Sequence, residues 1–195
     1  GKLLLTGSYN WAVTAEDDHY ENVIFSDDAK RVAFYQAYWR YLQGLSTPVR
    51  QAARGERRPP PPAPPVEKDG FVDFNGVHLP YAAVSPNGVV EGTLVQAIGA
   101  ARDRIDVAMF SFYSEPIGKA LVAAKQRGLT VRVLVDRGQA QLMKLDNWLV
   151  GLGVEVKAVG GPNEDGNAMF EKQHNKFMIL DGKLDSIPDQ SFYMK

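Results

Sequence analysis

The 195-residue chain predicts an α/β fold: a mostly parallel mixed sheet flanked by helices. Three observations carry this expectation. Between residues 91 and 159, apolar runs of strand length alternate with segments whose apolar residues recur at helical spacing. Start and stop signals bracket one of those segments, with Ser114 before it and Gly128 after it. Near the end, the apolar run Phe177-Met178-Ile179-Leu180 closes on Asp181-Gly182, a dipeptide suited to a tight turn.

Taken in order, residues 2–6 and 21–25 read as strands. Ser26 is placed to cap a helix over about 27–43, with Asp27 and Asp28 favourable in its first turn. Val32, Tyr35, Tyr38, Trp39 and Leu42 form an apolar stripe expected to pack on a core, and Gly44 is the expected stop. Residues 46–70 read as a linker. Pro59 to Pro62, Pro64 and Pro65 favour an extended polyproline II spacer, preceded by Arg50, Arg54, Arg57 and Arg58. A solvated, disordered linker is expected there. Asn75-Gly76 predicts a hairpin turn. There follow a helix over about 91–103, a strand over 105–112 and a helix over about 115–127. A strand over 130–136, a helix over about 139–150 and a strand over 154–159 complete the alternation. Gly160 to Gly166 reads as a loop, and 167–181 leads into the last strand.

Composition narrows the function. The formal net charge of −1 argues against binding nucleic acid by bulk electrostatics, though not against a locally basic cleft. With no Cys, there is neither a disulfide framework nor a thiolate metal site. No apolar run is long enough for a transmembrane helix. No glycine loop of the phosphate-cradling type occurs, and no metal or cofactor is expected.

The chemistry concentrates at His174, Lys176 and Asp181. On a strand, residues i and i+2 share a face, so His174 and Lys176 are expected side by side. Phe177, Met178, Ile179 and Leu180 are expected to anchor that strand in the core. An imidazole beside a fixed cation suits attack on phosphorus, with the ammonium group neutralising phosphoryl oxygens. At the other end of the chain, Ser8 and Asn10 form a second i, i+2 pair in Gly7-Ser8-Tyr9-Asn10-Trp11. Glu21-Asn22 follows. His19 and His78 lack metal-ligand spacing and read as bystanders. Glu16, Asp17 and Asp18 read as a solvated acidic loop.

The H-x-K-x4-D run from His174 to Asp181, with Gly-Ser-x-Asn at residues 7–10 and Glu21-Asn22 beyond, resembles the phospholipase D superfamily. The likeness is strongest to its single-unit nuclease and cardiolipin hydrolase branch. In that family the H-x-K-x4-D run precedes Gly-Ser-x-Asn; here the order is reversed. Residues 1–45 are therefore expected to be the C-terminal part of one such unit. Residues 71–183 would be the N-terminal part, and 184–195 an atypical tail. Gly182-Lys183 repeats Gly1-Lys2, which fits a slice of a tandem protein or a permuted single unit.

The resemblance implies a metal-independent phosphodiesterase in which His174 forms a phosphohistidine. The His of a second signature unit, in a homodimer or a tandem copy, would protonate the leaving oxygen and then activate water. Lys176 and Asn10 would hold phosphate oxygens, supported by Ser8. Glu21 would orient the His174 ring. Asp181, a member of the signature set, would fix the turn rather than touch substrate. The implied substrate is a phosphodiester of nucleic acid or of a phospholipid head group. The synthases of the superfamily carry Asp-x-Arg-Ser after the Asn, which Trp11-Ala12-Val13-Thr14-Ala15 does not match. The competing expectation is a catalytically inactive fragment that binds phosphate-rich polymers.

Overall fold

A computed structural model describes residues 1–46, 61–86, 89–140, 144–161 and 172–182. The arginines at 50, 54, 57 and 58, Pro59 and Pro60, most of the 160–166 loop and the 184–195 tail lie outside the described residues. In chain order the elements are β1 (Leu4–Gly7), α1 (Val13–Asp17), β2 (His19–Tyr20), β3 (Val23–Ser26), α2 (Ala29–Leu45), β4 (Phe71–Phe74) and β5 (Val77–Pro80). They continue as α3 (Val89–Ala100), β6 (Arg104–Met109), α4 (Glu115–Gln126), β7 (Thr130–Asp136) and α5 (Arg137–Ala140). The last are α6 (Lys144–Gly151), β8 (Glu155–Val159), β9 (Lys172–Gln173) and β10 (Lys176–Leu180).

The α/β alternation produces the main sheet, with strand order β10-β6-β7-β8. β6, β7 and β8 are parallel, and β10 runs antiparallel against β6. Ile105, Val107, Val131, Val133 and Val135 supply its buried centre, with Ile98 and Leu121 from the helices packed on it. β-branched side chains suit such strands, which turn one face into the core while the Arg132–Asp106 ion pair lies partly exposed on the other. Ser114 caps α4 by accepting the Ile117 N–H, and Gly128 at φ +94 ends that unit in the left-handed region. Asn75 and Gly76 both have positive φ, as the two-residue turn between β4 and β5 requires.

Several local expectations differ from the structure. The α2 cap is Asp28, whose carboxylate accepts the Arg31 N–H at 2.8 Å, and not Ser26. Helix α2 runs through Gly44. Of its stripe only Val32 is buried; Tyr35 and Tyr38 are half-buried and Trp39 and Leu42 are exposed, while Phe34, outside the stripe, is buried. The helix that was expected over 139–150 divides into α5 and α6. The end of the linker packs rather than floats. Tyr41 donates its hydroxyl to the Pro62 carbonyl at 2.8 Å, and Glu67 is buried with one carboxylate oxygen accepting the N–H groups of Lys68, Asp69 and Gly70. Finally, β10 does not bury all four of its apolar residues. Met178 and Leu180 pack on the core, but Phe177 and Ile179 face outward. The two-residue alternation of a strand forces this at a sheet edge with only one covered face.

Leu121 is fully buried at the centre of this core. Leu121→Ala is expected to cost about 2–5 kcal/mol of unfolding free energy, read by urea denaturation. Trp39→Ala, on the exposed half of α2, is expected to stay within about 0.5 kcal/mol of the parent.

Candidate active site

Antiparallel pairing of β10 with β6 sets Lys176 opposite Met109, so the residues just before β10 meet those just after β6. This is the end of the sheet where the parallel strands finish, the usual place for a site in α/β folds. His174 and Phe110 meet there edge-to-face, ring centroids 4.9 Å apart. The ammonium groups of Lys176 and Lys172 lie 5.6 and 5.8 Å from the centroid of the same Phe110 ring. At that range the ring quadrupole attracts each cation.

His174 does not stand on the strand, contrary to the i, i+2 expectation. The β9 ladder ends at Gln173 and β10 begins at Lys176. Between them the Gln173 side chain accepts the Asn175 N–H at 2.6 Å, a local bond that competes with ladder pairing. His174 and Lys176 are instead joined by a bond from Lys176 Nζ to the His174 carbonyl at 2.7 Å and by the shared Phe110 ring. Loss of solvation pulls the Lys176 pKa below the ordinary lysine value, partly opposed by the charge of Glu21.

The other half of the site comes from the start of the chain. β2 pairs in parallel with β9, setting His19 beside Lys172 and Tyr20 beside Gln173. The ladder extends one step further, as the His174 N–H donates to the Tyr20 carbonyl at 2.9 Å. The next residue, Glu21, therefore reaches His174: its carboxylate oxygens lie 2.9 and 3.1 Å from Nδ1. The Glu21 side chain is only 5% exposed. His19 Nδ1 lies 3.5 Å from the same Glu21 oxygen, on a side chain 9% exposed. By spacing alone His19 reads as a bystander in a polar loop. The structure places it on β2, inside the site. The available signal was its i, i+2 relation to Glu21.

Ser8 is bonded to the residue that follows Glu21. Its hydroxyl donates to the Asn22 side chain at 3.0 Å and accepts the Asn22 N–H at 3.1 Å. Gly7 lets the backbones approach, since a Cβ there would overlap the Asn22 carbonyl. Ser8 and Gly7 thus clamp the residue after Glu21. β1 ends at Gly7, so the expected face shared by Ser8 and Asn10 does not form. Asn10 is exposed, and no hydrogen bond links its side chain to His174 or Lys176.

Asp181 occupies the opposite end of β10 from His174. Its carboxylate accepts the N–H groups of Arg102, Asp103 and Arg104 and, at 2.6 Å, the Asn75 amide. It sits at φ +52 and ties the β4–β5 hairpin and the α3–β6 turn to the end of β10. Its hydrogen bonds anchor that end of the strand to backbone N–H groups and to Asn75. Burial raises its pKa, but the backbone N–H donors and Asn75 outweigh that and hold it below the ordinary Asp value. His78 pairs with Asp73 on the exposed hairpin, apart from these residues. Among the described residues, no cluster of three or more His, Cys, Asp or Glu is placed to hold a metal ion, and no helix is long and apolar enough to cross a membrane.

Residues 94–187 match the family described as "Cardiolipin synthase, PLD-like domain". Over those residues the chain is similar to the phospholipase D superfamily. It is 33% identical over 95 residues to human mitochondrial cardiolipin hydrolase, covering 47% of this chain and 33% of that one. The Mus musculus mitochondrial cardiolipin hydrolase matches at 33% identity, covering 47% and 38%. The chain thus spans about a third of the length of these curated relatives. Among solved structures, it is similar to Nuc, a phospholipase D family member from Salmonella typhimurium. That match has 29% identity and a TM-score of 0.42, and covers 50% of this chain and 60% of that one. NucT from Helicobacter pylori matches at 21% identity and a TM-score of 0.40, covering 46% and 58%.

Asp181→Ala removes the acceptor for those donors and puts a Cβ without hydrogen-bonding ability at positive φ. A loss of roughly 2–3 kcal/mol in unfolding free energy is expected, measured by denaturant titration. Because the folded pKa of Asp181 is depressed, its contribution is complete above the ordinary Asp value near ~3.9 and fades as pH falls through the folded value. Asp181→Asn is therefore expected to flatten the acid limb of the stability curve below about pH 4.

Proposed function

We propose that this chain is a phosphodiester hydrolase that acts through a covalent phosphohistidine at His174. The supporting observation is the buried Glu21 carboxylate at His174 Nδ1, with the Lys176 ammonium group on the same aromatic ring as the imidazole. A carboxylate that accepts from Nδ1–H leaves the lone pair on Nε2, ready to attack. Nε2 bonds to phosphorus as the bond to the leaving oxygen breaks. Lys176 neutralises the nonbridging oxygens. A second imidazole gives its proton to the leaving oxygen. It then takes a proton from the water whose oxygen attacks phosphorus and frees His174. A second signature unit, in a paired copy or a tandem neighbour, is the source that the family resemblance implies. Asn10 and Ser8 enter this reading as support for the phosphate site, Ser8 through Asn22 and Glu21.

The chain's own organisation fits the same reading. Residues 1–45 and 71–183 act as two parts of one unit, with the β2–β9 ladder as the observation in support. The substrate class is a phosphodiester of nucleic acid or of a phospholipid head group. Lys172 and Lys176 beside Phe110 suit its charge. The proposed reaction draws on imidazole and ammonium groups and needs no metal ion.

Turnover of a phosphodiester is expected to persist in EDTA. His174→Ala is expected to lower it at least about 1,000-fold. Acid-quenched wild type should carry an acid-labile phosphate that the variant lacks. Activity lost to chelation would point to another mechanism. Retained polymer binding in both proteins, with no covalent phosphate in either, would favour the binding module.

A further inference from the structure

We infer that Asp136 is a positioning residue of this site: acting through Gln173 and Gln139, its carboxylate fixes where the His174 ring stands against Phe110 and Lys176. The inference rests on the reading of His174 as the nucleophile, and it names a residue outside the motifs that led to that reading.

The ladder that leads into Glu21 and His174 is short. β2 and β9 have two residues each and form a sheet of their own, apart from the four strands that include β10 and Lys176. Two strands alone are marginal. Asp136, the last residue of β7, ties them to the main sheet. Its Oδ2 accepts the Gln173 N–H at 3.0 Å, and its Oδ1 accepts the Gln139 N–H in α5 at 3.0 Å. The Gln139 side chain in turn accepts the Ser111 hydroxyl at 3.0 Å. Gln173 immediately precedes His174, and Ser111 immediately follows Phe110. One carboxylate therefore stands behind both partners of the His174–Phe110 ring contact.

Gln173 carries the hold across His174. Its side chain accepts the Asn175 N–H at 2.6 Å, so the backbone is pinned on both sides of the imidazole. Asp136 and Gln173 are each only 3% exposed. Among the described residues, Gln173 Nε2 is buried without a hydrogen-bond partner. Leaving such a donor unpaired is costly, and breaches of this kind gather at functional sites. A fold that needs the Gln173 carbonyl to hold Asn175 must take the amide with it. The position so fixed matters because Glu21 meets His174 Nδ1 at 2.9 Å, and a shift of about 1 Å in a reacting group can cost about 100-fold in rate.

Two variants test this, with bis(4-nitrophenyl) phosphate as substrate. Asp136→Asn keeps the size but replaces one acceptor with a donor, so one N–H loses its partner. Gln173→Met keeps the length and removes the acceptor for the Asn175 N–H. Each is expected to lower kcat about 100-fold while KM stays within about twofold of wild type. Acid-labile phosphate on the protein should form more slowly by the same factor. The chain has three His, so imidazole NMR follows each ring. The His174 signals are expected to move in both variants, while those of His78, on the exposed hairpin, stay in place. A folded variant with wild-type kcat, a loss confined to KM or to the folded fraction, or unmoved His174 signals would overturn the assignment. Should Asp136→Asn not fold, Gln173→Met decides by the same measures. Failure of both to fold would make the network structural and overturn it as well. A wild type that neither turns over the diester nor carries acid-labile phosphate, or a His174→Ala protein that retains turnover, would overturn the phosphodiesterase reading itself and this inference with it.

Discussion

A buried carboxylate between two imidazoles is the contact on which this molecule turns. Glu21 is nearly inaccessible, and an ionised group so placed needs partners. His19 stands close by in sequence, whereas His174 comes from the far end of the chain, 153 residues away. Much of the surrounding backbone serves that meeting. The β2–β9 ladder sets the register, and the Tyr20 carbonyl takes the His174 N–H. Gly7 and Ser8 hold Asn22 from the other side.

β10 divides its labour by position. Its start lies at the finishing end of the parallel strands, where His174, Lys176 and Phe110 gather. Its end is tied down by Asp181 to backbone N–H groups at the opposite edge of the fold. The spacing between Lys176 and Asp181 is therefore the length of one strand, with the proposed chemistry at one end and an anchor at the other. That gives the separation within the H-x-K-x4-D run a mechanical meaning: the anchor fixes where the strand begins. Ammonium groups stacked on Phe110 complete a centre that is cationic and partly desolvated, although the chain as a whole is close to neutral.

The faces that stay open follow from the same geometry. β10 is an edge strand, so alternate residues must point away from the core, and Phe177 and Ile179 do. Helix α2 buries Val32 and Phe34, while Trp39 and Leu42 remain outside. Tyr41 meets the proline-rich segment instead, through its carbonyl at Pro62. A rigid segment with bare carbonyls is a natural partner for a tyrosine hydroxyl, because proline donates no N–H and costs little entropy to order.

Periodicity and caps made the α/β sheet legible without coordinates. Val131, Val133 and Val135 on one strand, Ser114 and Gly128 around one helix, and the Asn75-Gly76 turn each have a local cause that acts wherever the residues occur. The motif residues were legible as types for the same reason, since imidazole, ammonium and carboxylate imply chemistry by themselves. What local pattern cannot encode is which distant groups meet. Sequence alone placed His174 on a strand, whereas the Gln173 side chain diverts the backbone there. It paired Asn10 with Ser8 across a strand that in fact stops at Gly7. It passed over His19, whose importance comes only from sharing Glu21 with a residue at the other end of the chain. Local composition determined the elements and the kind of chemistry; long-range packing around one buried charge decided which side chains stand together.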